Sequence, residues 1–216
     1  MIPNPRSAGI LPARRAPGRR LGEGRWVGAA LAVTVAAAVL THLSPAVEEA
    51  LQFNRAAVVG GQWWRLITGN FVHCSWVHLG VNLGAFAALL WIACGRGRGV
   101  AWVVALSAAA VGAGVYLWAD GITTYRGISG VASALLGWVM VTMAAQDRGR
   151  QAAVWAAAVV VIAVKSVIEM IIGGPFLPTS APPGIAVVPV THLVGLAVGA
   201  GLALAGTRLR LRRAAL

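Results

Sequence analysis

Charge is what this 216-residue chain has least of. It carries six Asp and Glu and one lysine, and charged residues make up only 11% of it. Soluble domains run at about 25% charged, so an ordinary soluble fold is excluded. A disordered chain is excluded too, because such chains combine high charge with few apolar residues. Two cysteines are too few for a disulfide scaffold. Cys74 and Cys94 would lie near opposite ends of one helix, roughly 30 Å apart and beyond disulfide reach. No recognised zinc-ligand spacing occurs, since His73 and Cys74 are adjacent; neither a metal nor a cofactor is expected. What the chain has in excess is apolar: 58% Ala, Val, Ile, Leu, Met, Phe, Trp, Tyr and Cys, with a mean hydropathy of +0.77. That composition implies a polytopic membrane protein.

A membrane-spanning helix needs about 20 largely apolar residues. The gaps between charges offer six: Trp26–Leu40, Trp76–Cys94, Gly99–Ala119, Gly127–Gln146, Gln151–Gly173 and Val188–Gly206. The expected fold is therefore an all-α bundle of six transmembrane helices over residues 26–207. A basic N-terminal segment, 1–25, precedes it and a basic tail, 208–216, follows. Fourteen arginines fall on one side of such a bundle: Arg6, Arg14, Arg15, Arg19, Arg20, Arg25, Arg96, Arg98, Arg148, Arg150, Arg208, Arg210, Arg212 and Arg213. The other side has Arg55, Arg65 and Arg126. The positive-inside rule then places both termini in the cytoplasm. The formal net charge of +12 is accounted for by topology, so the lipid bilayer is the expected partner and nucleic acid is not.

Two connections stand out. Ser44–Ser75 contains Phe53, Trp63, Trp64 and Phe71 and reads as partly helical and interfacial. Gly173–Gly184 is rich in Gly and Pro and uncharged, and reads as a mobile cap between spans five and six. Within span five, Lys165 and Glu169 are spaced i, i+4, as an ion pair would be. His42, at the end of span one, reads as a solvated interfacial group.

Polar side chains inside a bilayer are costly and are functional candidates by default. His78, Ser129 and His192 each lie near the start of spans two, four and six, which run in the same direction. Asn82 is one turn beyond His78 on the same face. Four uncharged polar groups from three helices thus share one depth near the outer surface. Their chemistry suits acyl transfer. Ser129 becomes a nucleophile once His192 takes its proton, and His78, Asn82 and the Ser129 backbone N–H can donate to a developing oxyanion. With no carboxylate nearby except Asp120 in a loop, a Ser–His dyad is expected.

These residues resemble the rhomboid intramembrane serine proteases. The resemblance runs through Trp64-Arg65-Leu66-Ile67-Thr68, Phe71-Val72-His73, His78-Leu79-Gly80-Val81-Asn82, Gly127-Ile128-Ser129-Gly130, and His192 with Gly195 and Gly199. It implies a six-helix core, Ser129 as nucleophile, His192 as base, and an oxyanion hole from His78, Asn82 and Ser129. Trp64 and Arg65 would be structural in the first loop. Gly127 and Gly130 would flank the nucleophile. Gly195 and Gly199 would let span six approach span four closely. The implied partner is a transmembrane protein substrate cut near the outer end of its helix. Phe53-Asn54-Arg55, Tyr125-Arg126-Gly127 and the Lys165–Glu169 pair look most similar to the rhombosortase branch, which removes C-terminal sorting helices from exported bacterial proteins; this implies a bacterial inner-membrane location. Where many members carry a ring four residues after the nucleophile, this chain has Ser133. A catalytically inactive relative that binds or escorts membrane helices is the alternative.

Overall fold

A computed structural model describes residues 21–96, 99–175 and 187–214. The basic segment before residue 21 and most of the Gly/Pro-rich connection, 176–186, lie outside them. Nine helices are described: α1 (Leu21–Leu43), α2 (Pro45–Leu51), α3 (Arg55–Val59), α4 (Arg65–Thr68), α5 (Trp76–Cys94), α6 (Val100–Trp118), α7 (Ser129–Gln146), α8 (Gly149–Ile172) and α9 (Pro189–Ala214). Five of these hold segments long and apolar enough to cross a membrane: Trp76–Cys94, Val100–Trp118, Ser129–Gln146, Gly149–Ile172 and Pro189–Leu209. In α1 the described apolar stretch is the shorter Thr34–Leu43.

The core centres on α7. Val131, Leu135 and Trp138 of that helix pack with Phe86 and Leu90 of α5 and Val103 and Ala108 of α6. Helix α8 sits at the margin. It buries only Ser166 and Glu169, while Val160, Val161, Val164 and Ile171 stay exposed, a surface suited to lipid. Lys165 Nζ donates to Glu169 Oε1 at 2.6 Å, so the charge on this apolar helix is met on the spot.

Helices α7 and α9 approach one another backbone to backbone. A Cβ on Gly195 would lie 2.0 Å from the Gly130 carbonyl oxygen, and one on Gly199 would lie 1.8 Å from that of Ala134. Only hydrogen fits at either position. Without a hydrophobic force between helices in lipid, the close packing that such small residues permit is one of the sources of cohesion.

The connection before α5 is built, as its aromatic content implies, from short helices, here α2, α3, α4 and a 3₁₀ turn at Gly69–Phe71. One feature departs from an all-helical fold. Phe53–Asn54 (β1) pairs antiparallel with Thr124–Tyr125 (β2), Phe53 opposite Tyr125 and Asn54 opposite Thr124. Two arginines lock this layer. Arg55 donates to the carbonyls of Val115, Tyr116, Ala119 and Ile122, at and just beyond the C-terminal end of α6, where helix carbonyls run short of backbone donors. Arg65 is buried and donates to the Glu49 and Gln52 carbonyls at 2.6 and 2.9 Å and to Gln62 Oε1 at 2.6 Å. Trp64, in contrast, stays 51% exposed and packs no core. Replacing Arg55 by Leu is expected to cost roughly 2–3 kcal/mol, since charge-assisted bonds are lost and carbonyls are stranded. Thermal unfolding in detergent measures this, with Arg55→Lys intermediate because an ammonium cannot span four carbonyls.

Candidate active site

Ser129 opens α7, and the residue before it, Ile128, is wholly buried. The approach to Ser129 is held from four directions. Gly127 has φ +129, a conformation that disfavours any side chain, and its N–H donates to the Gly69 carbonyl at 3.2 Å. The Tyr125 hydroxyl donates to the Gly127 carbonyl at 2.7 Å. Arg126 bonds Gln52 Oε1 at 2.7 Å and forms an ion pair with Glu48. The Ile128 N–H approaches His73 Nε2 at 3.5 Å. As the first residue of α7, Ser129 has a backbone N–H without an intrahelical partner, so it remains a donor.

From α9, His192 reaches across. Its Nε2 lies 3.2 Å from Ser129 Oγ, the distance at which a base can take a hydroxyl proton. The α7–α9 contact makes this bond, with Gly195 one turn beyond His192 on the same face. Ser133, one turn beyond Ser129, turns its hydroxyl back onto the Ser129 carbonyl at 2.9 Å and offers His192 no ring to rest on.

The α5 residues arrive at the same level. A Cβ on Gly127 would come 3.1 Å from His78 Cε1 and 3.5 Å from its Nε2, so the His78 ring lies along the backbone just before Ser129. Asn82 is buried, and its Nδ2 donates to the His78 carbonyl at 2.8 Å. The fold thus brings Ser129 and His192 into direct contact and His78 against Gly127, with Asn82 one turn deeper.

Several neighbours take up contacts that the sequence did not assign to them. Tyr125 is buried between Thr191 and Ser129, and burial pushes its phenol up, so it stays a hydroxyl. His42 is not merely solvated. Its ring packs edge-on against Trp76 with centroids 4.3 Å apart, and its Nδ1 lies 3.2 Å from the His73 carbonyl. His73 is fully buried. Burial first, and then the proximity of His78, hold its pKa down to about 4. A folded-state pKa below the usual 6.5 means the unfolded chain binds the proton first, so stability falls as pH drops from 6.5 towards 4. Wild type should lose up to about 3 kcal/mol across that window, and His73→Asn should lose markedly less. Unfolding midpoints at pH 7 and pH 4.5 for both proteins check this; equal losses would exclude it.

Residues 60–209 match the rhomboid domain. The match spans more than half of the chain, and the chain belongs to the rhomboid family. Members of that family are generally intramembrane serine proteases, and the apolar helices are those of an integral, multi-pass membrane protein. No curated protein matches the chain.

Proposed function

We propose that the protein is an intramembrane serine endopeptidase working through a Ser129–His192 dyad. The observation that carries this reading is the 3.2 Å separation of His192 Nε2 and Ser129 Oγ. His192 takes the Ser129 proton as Oγ attacks the substrate carbonyl carbon. The oxyanion forms beside the Ser129 N–H, His78 and Asn82. His192 then protonates the leaving amine, and water hydrolyses the acyl-enzyme. With α1 as the first of six spans and both termini cytoplasmic, as the arginine distribution favours, the site opens to the extracytoplasmic side. The substrate is a transmembrane helix cut near that end. The loop motifs and the Lys165–Glu169 pair favour the rhombosortase branch and hence a C-terminal sorting helix on exported proteins of a bacterium.

The test is incubation of the purified protein in liposomes with a single-span substrate carrying a small Gly-rich motif before its helix. Mass spectrometry should find one cut close to the outer end of the helix. If the substrate stays intact but co-purifies with the protein, the chain is instead an inactive helix-binding relative, the reading favoured by Ser133 in place of a ring.

A further inference from the structure

We propose that Cys74 is a positioning residue for the oxyanion side of the site: its thiol sets which nitrogen of His78 carries the proton. This rests on the reading of His78 as an oxyanion donor. The geometry begins two residues before α5. Cys74 Sγ lies 3.0 Å from His78 Nδ1. The next residue, Ser75, caps the helix, its Oγ accepting from the His78 N–H at 3.1 Å. Asn82 holds the His78 carbonyl from the other side. The residue is therefore fixed at its backbone N–H, its carbonyl and one ring nitrogen, all within two turns of helix.

The chemistry follows from which group donates. A neutral imidazole has one N–H and one lone pair. Burial raises the Cys74 thiol above its ordinary pKa, so at neutral pH it keeps its proton. Sulfur is a weak acceptor, whereas an imidazole lone pair is a good one. The matched arrangement is S–H donating to Nδ1, which leaves the ring proton on Nε2. That nitrogen is the one beside Gly127, two residues before Ser129. A proton there can donate to a negative oxygen forming near Ser129; a lone pair there would repel it. The opposite tautomer, with Nδ1–H aimed at sulfur, would put that lone pair in the site.

Removing the thiol lets both tautomers populate, so part of one oxyanion donor is lost. Complete loss of such a donor costs about 10²–10³ in kcat, so Cys74→Ala is expected to lower kcat about tenfold with KM unchanged. Cys74→Ser keeps an O–H donor and should retain kcat within about threefold. In a His78→Ala background, Cys74→Ala should cause no further loss, because the group it acts through is gone. An equal loss in both backgrounds, or none in either, overturns the proposal.

A second readout needs no activity. The ¹⁵N shifts of the His78 ring in wild type and in Ser129→Ala should report a proton on Nε2, and Cys74→Ala should shift the population towards Nδ1. A wild-type ring protonated on Nδ1 overturns the proposal even if the enzyme cleaves. A ring protonated on Nε2 and released by Cys74→Ala sustains it even if no substrate is cut.

Discussion

Ser129→Ala is expected to abolish cleavage, lowering kcat by on the order of 10⁴–10⁶-fold, the range seen when a serine nucleophile is removed while binding survives. The substitution should leave the fold intact. The Ser129 side chain is half-buried, its helix starts by backbone geometry at Ile128, and no cap bond from a side chain is lost. Unfolding midpoints of wild type and variant should agree within about 0.5 kcal/mol, as for a change that creates no cavity. A fluorophosphonate probe, which phosphonylates activated serines with loss of fluoride, should label wild type and not Ser129→Ala. His192→Ala should lose labelling as well, because the hydroxyl is unreactive without a base 3.2 Å away. Undiminished cleavage by Ser129→Ala would end the protease reading.

The second large effect is structural. Gly199→Val is expected to destabilise the bundle by on the order of 4–5 kcal/mol, at the severe end for one substitution. Even the first added carbon would sit 1.8 Å from the Ala134 carbonyl oxygen. That oxygen belongs to the α7 backbone and cannot rotate away, so the two helices must separate. Activity should fall with stability, because His192 rides on α9 and Ser129 on α7. The control is Gly201→Val. A Cβ at Gly201 meets nothing within 4 Å, so its unfolding midpoint should stay near wild type. If Gly199→Val also unfolds like wild type, the close α7–α9 contact is not what holds the pair together.

Much of this arrangement could be read from residue order. Trp76–Cys94 emerges as a helix at the residues where the uncharged apolar run begins and ends, because in lipid an apolar run has no alternative that satisfies its backbone. Ser129 and His192 were legible for a related reason: so few polar groups occur in the spans that each needs a purpose. The Arg55 cap was not legible. Counting charge by side of the membrane treats it as one more outer arginine, while its role comes from carbonyls about 60 residues away. The β1–β2 ladder was equally hidden, since two residues per strand are too few to show alternation. The resemblance implied that Trp64 and Arg65 are structural; Arg65 is buried and bonds the Gln52 carbonyl, while Trp64 is 51% exposed. The contacts of His42 and Cys74 were hidden because each involves the turn before α5, whose path no periodicity describes.

The Ser129–His192 contact joins residues 63 positions apart, with all of α8 between them. As the chain is synthesised, the nucleophile's helix is made well before the helix bearing its base. Throughout that interval Ser129 is an unactivated hydroxyl, sharing the insertion site with freshly made helices of its own chain and of its neighbours. On the proposed mechanism, hydrolysis cannot begin until α9 has docked against α7, so completing the fold is also what switches the enzyme on. A nascent chain is thereby silent until its last helix is in place.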